Sequence, residues 1–566
     1  MIKRFLFFTF YFLLFTSAFA QEKKTFTHAD TLRGSITPER AWWDVLRYDI
    51  TVKPDYENKT IEGICSIKYR TTNPGGSDIM QIDLQNPLII DSVIQHTSSL
   101  KFKKIGNNVW YVTPLPTIVR QVSSSKLQID DEAITIFYHG KPREAIKPPW
   151  DGGWIWKKDN LGRPWMSVTC QGFGASVWYP CKDIQADEPD NGASLSVIVP
   201  DTLVAVGNGR LTSTQKNNDG TTTYKWEVKN PINNYNIIPY IGKYVNFSDT
   251  LNGEKGTLDL NYWVLDYDLD SAKQQFEQVK PMLHNLEHWY GPYPFYEDGY
   301  KLVQSPHLGM EHQSAVAYGN GFHNGYRYGK TWIDLSNTGL GLKWDFIIEH
   351  ESSHEWFGNN ITSKDLADMW IHESFANYSE TLYTESLFGK DSGNAYNVGT
   401  RTRIKNDAPV IAHYGVNEEG SGDMYYKGGN MLQAIRHTIN NNEKWRSILR
   451  GLNKTFYHQT VTTKQIEDYI SKNAGIDLNK VFDQYLRTTQ VPQLSYYYSA
   501  DKKQVYYRWD SCVTGFNMQL VLWHDGKSLR IYPTQQWRSS KNVAFFDTAW
   551  IVNNYYMRIK EVSGKP

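Results

Sequence analysis

Hydrophobic and polar positions change rhythm along the chain, and the changes mark its regions. From about Trp42 to Tyr262, apolar and polar residues alternate in short runs such as LRYDITVKP, IEGICSIKYRT and TTTYKWEVKN, broken by Asn, Gly, Pro and Asp. A period of two between turn residues predicts strands, so residues 21–262 are expected to form a β domain. After NYWVLDYDLDS the apolar spacing becomes three and four, as in DSAKQQFEQVKPMLHNLEHWYG. That spacing predicts amphipathic helices, and the helix-rich texture runs over 263–489. From Val491 alternation returns in VPQLSYYYSADKKQVYYRWDS, and MQLVLWHDGKSLRIYP sets a DG turn between β-rich flanks. Residues 490–566 are therefore expected to form a small β-sandwich, and the whole a multidomain α+β chain.

Composition agrees with several cores and narrows the partners. A chain of 566 residues with 40% hydrophobic residues is too long for one core and long enough for about three domains. Lys plus Arg and Asp plus Glu are 60 each, so no bulk field recruits nucleic acid or an anionic membrane. At the N-terminus, Lys3 and Arg4 precede the apolar run FLFFTFYFLLF, which ends in SAFA with small residues at Ala18 and Ala20. This order predicts a cleavable signal peptide over residues 1–20 and export to a periplasm or the exterior; the run is short for a membrane anchor. Cys65, Cys170, Cys181 and Cys512 lack CxxC spacing. They are expected to be buried free thiols, and any metal must be held elsewhere.

The stretch HESSHEWFGNNITSKDLADMWIHESFANYSE, inside the helix-rich region, carries the candidate chemistry. His350 and His354 are four residues apart, on one face of a helix with Gly358 as its stop. Two imidazoles so placed can share one Zn²⁺, with Glu351 beside them to activate water. A third ligand is needed, and Glu373 on the next predicted helix, with eighteen residues between it and His354, can supply an oxygen. His372 points elsewhere on that helix and is read as structural. Asn377 and Glu380, one and two turns after Glu373, are candidates to hold the zinc histidines through their second nitrogens.

These motifs resemble the zinc aminopeptidases of the aminopeptidase N and leukotriene hydrolase type, which are gluzincin metallopeptidases. The resemblance extends upstream to HLGMEHQSA, similar to the family's exopeptidase motif, and to QGFGASVWYPCKD, similar to its substrate-facing loop; downstream, DMYYKGGNML resembles its tyrosine motif. It implies a short three-domain exported member: an N-terminal β-sheet saddle domain, a thermolysin-like α-rich catalytic domain and a small Ig-like C-terminal β-sandwich. It also implies one zinc per chain, peptide substrates with a free N-terminus, and a set of roles. Glu311 and Gln171 would bind the substrate amine, Gly309 and Met310 would pair with its backbone, Glu351 would be the general base and Tyr425 would stabilise the oxyanion.

Three departures from the family pattern carry expectations. His312 stands where the family has asparagine, and a protonated His312 beside the substrate amine would lower activity. Ser352 and Ser353 replace the commoner apolar and small pair between the histidines. The chain also ends after the small β region, where longer members continue into a large helical domain, which predicts a more open cleft. Two other readings fit the same residues: a hydrolase of non-peptide substrates at the same zinc, such as epoxides, and a noncatalytic scaffold. The intact set of His350, Glu351, His354, Glu373, Glu311 and Tyr425 argues against the scaffold.

Overall fold

The computed structural model describes residues 25–563 apart from 117–118, 124–125, 525–526 and 542–546. The expected signal peptide, residues 1–20, lies outside the described residues. No described helix is long and apolar enough to cross a membrane. Cys65, Cys170 and Cys181 are buried free thiols, and Cys512 is free and half-buried.

The alternating runs of the first region build an eight-stranded sheet. At its centre, β1 (Trp43–Asp55) pairs antiparallel with β2 (Thr60–Thr71), from Trp43 opposite Thr71 to Asp55 opposite Thr60. β3 (Glu132–Gly140) lies antiparallel on the far side of β2, and β4 (Ala193–Pro200) runs parallel to β1. Along β2 the buried residues are Ile61, Gly63, Cys65, Ile67, Tyr69 and Thr71, with Glu62, Lys68 and Arg70 turned to solvent. One face of the sheet is core and the other is wet, which is what a period of two encodes.

A five-stranded sheet positions the site. Its strands are β5 (Tyr244–Gly253), β6 (Gly256–Leu265), β7 (Tyr300–Gln304), β8 (Gly309–Met310) and β9 (Val316–Tyr318), in the order β5-β6-β7-β9-β8. β5 and most of β6 fall in the first region by pattern, and they hydrogen bond into this second sheet. Alternation identifies a strand without saying which sheet it joins. Leu302, Val316 and Tyr318 face the core shared with the helices, while Val303, Met310 and Ala317 face the core of the first domain. The sheet is thus clamped between two cores, with β8 as its edge.

Four helices of the second region are used below: α1 (Phe346–Ser353), α2 (Trp370–Phe388), α3 (Asp423–Ile439) and α4 (Asn442–Thr455). The C-terminal region does not confirm the expected sandwich. Among the described residues it is a four-stranded sheet of β10 (Gln493–Tyr498), β11 (Gln504–Asp510), β12 (Arg538–Lys541) and β13 (Arg558–Glu561), in the order β12-β11-β10-β13, accompanied by a two-stranded hairpin and a short helix. Leu494, Tyr496, Val505 and Trp509 join the same core as the catalytic helices. The apolar side of this sheet is covered by the second domain, so it has no need of a second sheet to close a core of its own.

Candidate metal centre

Asp345 caps α1, its carboxylate accepting from the Ile347 and Ile348 amides at 3.1 and 3.4 Å. The regular helix ends at Ser353 rather than at Gly358, with His354 as its C-cap still in helical conformation (φ −62°, ψ −18°). The i, i+4 geometry therefore survives, and the two imidazoles lie 5.1 Å apart between ring centroids. Each ring is held by its Nδ1. His350 Nδ1 meets Glu380 Oε1 at 2.9 Å, and His354 Nδ1 meets the Phe357 carbonyl at 3.0 Å. Both Nε2 atoms are thereby aimed at Glu373.

Glu373 lies in the first turn of α2. Its Oε2 is 3.7 Å from His350 Nε2 and 3.5 Å from His354 Nε2, and it is buried without a hydrogen-bond partner. These two separations are too long for hydrogen bonds and close to the edge of a zinc tetrahedron, about 3.4 Å for ligand bonds near 2.1 Å, and all three donors lie within 4.8 Å of one another. Glu380 supports this set through the Asn377 amide at 3.1 Å and the Tyr396 hydroxyl at 2.7 Å. His372, adjacent to Glu373, accepts from the Ser363 amide on Nε2 at 2.9 Å, and burial pushes its pKa down to about 3, so it is a neutral structural group.

Charge asks for a cation as well. Burial raises the Glu311 and Glu351 carboxyls. Burial alone would lower His350, but Glu373 and Glu380 outweigh it and hold the imidazole well above its ordinary value. Burial would likewise raise Glu373, but His354 and His350 pull it down. A dication bound here would favour the ionised carboxylates and the neutral ligand form of His350.

The remaining candidates surround this set. β8 runs past α1 at close range: a Cβ at Gly309 would stand 2.6 Å from Glu351 Oε1, so a side chain there would push Glu351 aside. Met310 follows it on the edge. Glu311 Oε1 accepts from Gln171 Nε2 at 2.5 Å and from the Tyr235 hydroxyl at 3.0 Å. Asn359 Nδ2 binds the Glu311 carbonyl at 2.8 Å and ties the motif to the turn after α1. Tyr425, on α3, faces His350 with ring centroids 6.1 Å apart; burial and the nearby carboxylates keep its phenol protonated. α3 reaches this position because Gly428 and Gly429 lie against α2. A Cβ there would fall 1.8 Å from Ser374 Oγ and 2.3 Å from Asn377 Oδ1.

His312 does not take the role expected of it. It is fully buried, its Nδ1 is 2.6 Å from the Tyr240 hydroxyl, and that hydroxyl donates to the Ala315 carbonyl at 2.7 Å. Burial, then His307, push its pKa well below the ordinary value. It is a neutral strut between the domains, away from the role of a cation beside the substrate amine. Tyr235, Asn359 and Arg403, a cavity-lining residue, escaped sequence reasoning; Tyr235 is one of 37 tyrosines and sits in no motif that marks it.

A cavity of about 560 Å³ is lined by His350, Glu351, His354, Glu373, Glu311 and Tyr425, together with Gln171, Gly309 and Met310. A larger cleft of about 1040 Å³, near His288 and Arg450, has no converging metal donors among the described residues. The chemistry, and not the volume, identifies the site.

Comparison with known proteins gives the family and the fold. The peptidase family M1 domain matches residues 275–485, and the peptidase M1 N-terminal domain matches residues 45–235. Aminopeptidase N of Lactobacillus helveticus is 23% identical over 490 residues, covering 80% of this chain and 52% of the relative. Leukotriene A-4 hydrolase of Xenopus laevis is 22% identical over 338 residues, covering 56% and 51%. The chain thus spans about half the length of these curated relatives. The crystal structure of an M1 zinc metallopeptidase from Deinococcus radiodurans superposes with a TM-score of 0.61 at 20% identity, covering 80% of this chain and 94% of that one. A variant of M1 zinc metallopeptidase from the same organism, bound to a Tyr-Ser-Ala substrate, has a TM-score of 0.62 at 19% identity, with 81% and 97% covered. At these identities the likeness is one of fold.

Proposed function

Because the chain belongs to the peptidase M1 family, we propose that it is a zinc aminopeptidase releasing N-terminal residues from peptides. The observation that carries this reading is the meeting of two sets of groups: Glu311 with Gln171 and Tyr235, and, beside it, His350, His354 and Glu373. The relative solved with Tyr-Ser-Ala favours a peptide as the substrate.

A zinc ion held by His350, His354 and Glu373 would polarise the scissile carbonyl and acidify water. The protein's own groups do the rest. Glu311 takes the protonated α-amine through charge-assisted hydrogen bonds, with Gln171 as a second acceptor, and so fixes the register at one residue from the N-terminus. Gly309 and Met310 offer the substrate backbone an edge strand. A carboxylate oxygen of Glu351 accepts the proton of the attacking water and passes it to the leaving nitrogen. Tyr425 donates its phenolic proton as a hydrogen bond to the oxygen on which charge develops, an interaction that strengthens in the transition state.

Amino-acid amides assayed against their N-acetylated counterparts, with and without a chelator, test this. Chelator-sensitive cleavage of the free-amine forms alone is expected. Cleavage of neither by zinc-loaded protein would transfer the site to a non-peptide substrate, and cleavage of blocked forms would remove Glu311 from its role. We also propose export through residues 1–20, supported by their charged, apolar and small-residue order; a mature protein beginning elsewhere than Gln21 would overturn that cleavage point.

A further inference from the structure

The cavity of the proposed centre is electrically lopsided. Glu311, Glu351, Glu373, Glu380 and Glu419 line it, and Arg403 is the only Lys or Arg among its described lining residues. Arg403 ends a short 3-10 turn, Arg401–Arg403, and is half-buried. Its Nε donates to the Leu335 carbonyl at 2.7 Å, which orients the guanidinium fork without neutralising it. It lies close enough to Tyr326 and Tyr426 to oppose the burial that raises their phenols.

The order of contacts places Arg403 relative to the reaction. Donor atoms of Glu311, Glu351 and His354 lie within 4.8 Å of one another, so the amine end of the site is on the His354 side of Glu351. On the other side, one turn earlier on α1, Phe346 stacks on His350 with centroids 4.9 Å apart, and Tyr326 packs edge-on to Phe346 at 5.2 Å. Arg403 lines the same cavity as Tyr326 and is close enough to act electrostatically on its phenol. A peptide with its amine at Glu311 and its scissile carbonyl at Glu351 therefore sends its leaving part toward Phe346, Tyr326 and Arg403. Anion at one end and cation at the other complement a substrate that is cationic at its N-terminus and anionic at its C-terminus.

We propose that Arg403 binds the free α-carboxylate of a short peptide, so that the cavity selects short zwitterionic peptides over long or C-terminally blocked chains. A guanidinium fork matches a carboxylate with two parallel hydrogen bonds, and about 560 Å³ is the size of a small-ligand site rather than of an extended groove. This inference rests on the aminopeptidase reading and deepens it.

The test compares Leu-Gly-Gly with Leu-Gly-Gly-amide on the zinc-loaded full chain. The free acid is expected to be favoured about tenfold in kcat/KM, mainly through KM, the scale of one charged hydrogen bond. Arg403→Gln should bring the ratio close to one, and Arg403→Lys should keep part of it and shows that the site still folds. Equal rates for acid and amide in the wild type, or an equal loss for both in Arg403→Gln, would overturn the proposal. A preference that Leu-Asp-amide satisfies as well as the free acid would overturn the assignment to the α-carboxylate. Calorimetry in the Glu351→Gln background, with and without Arg403→Gln, gives the same comparison as affinities. If the wild type cleaves no free-amine substrate at all, the aminopeptidase reading fails on that result, while the acid-to-amide affinity ratio still decides the role of Arg403.

Discussion

α2 and α4 are helices of one domain that use burial in opposite ways. α4 buries Trp445, Ile448, Leu449, Leu452 and Asn453, a single stripe with polar residues turned outward. α2 is buried on every side from Trp370 to Thr384, with His372, Glu373, Ser374, Asn377 and Glu380 inside the protein. A polar group in such a place is costly unless it is paired. Glu380 uses both oxygens, on His350, Asn377 and Tyr396, whereas Glu373 keeps Oε2 without a partner. The stripe of α4 serves stability; the buried polar interior of α2 serves the site, and its unpartnered oxygen marks where an ion belongs.

Substitutions can break this contrast. The largest effect is expected on the catalytic side. Glu351→Gln should lower kcat on leucine amide by about 10²- to 10⁴-fold while retaining one zinc per chain, read by steady-state kinetics and metal analysis. On the other side, Ile448→Ala should cost about 2–5 kcal/mol of stability in denaturant unfolding, with kcat/KM per folded molecule unchanged. A change in kcat/KM there would mean that α4 is not a bystander.

Smaller changes sharpen the comparison. Glu380→Ala releases His350 Nδ1 and should weaken zinc retention against a chelator about 10- to 100-fold. Gly428→Ala drives a Cβ into Ser374 and should cost about 1–3 kcal/mol, together with a fall in kcat as α3 carries Tyr425 away. The smallest is His312→Asn. The folded-state pKa of His312 is depressed, so as pH falls below the ordinary imidazole value of about 6.5 the unfolded chain takes up a proton that the folded chain refuses, and stability is lost. The variant should lessen that acid-side decline in melting temperature and leave the acid limb of kcat/KM where it was. A shifted limb would restore His312 to the chemistry.

What could be read in the sequence follows from the range of the contacts. His350, Glu351, His354 and Glu373 lie within twenty-four residues on two successive helices, so spacing alone aims them at one point. Tyr235 reaches Glu311 across 76 positions and Arg403 reaches Leu335 across 68, and no local pattern encodes contacts at that separation. Gly428 and Gly429 were visible as letters, but their purpose appears only once α2 lies against them. Strand rhythm behaved likewise: it identified β5, β6 and the C-terminal strands as strands, and left open that the first two join the catalytic sheet and the last share its core.

The central claim is that the buried donors hold one zinc between α1 and α2. Crystals of zinc-loaded protein measured on both sides of the zinc absorption edge test it directly. The account predicts one anomalous peak, bounded by His350 Nε2, His354 Nε2 and Glu373 Oε2. A peak instead among Glu311, Glu351 and His354, whose donor atoms also converge, or no peak in protein that cleaves its substrate, would contradict it.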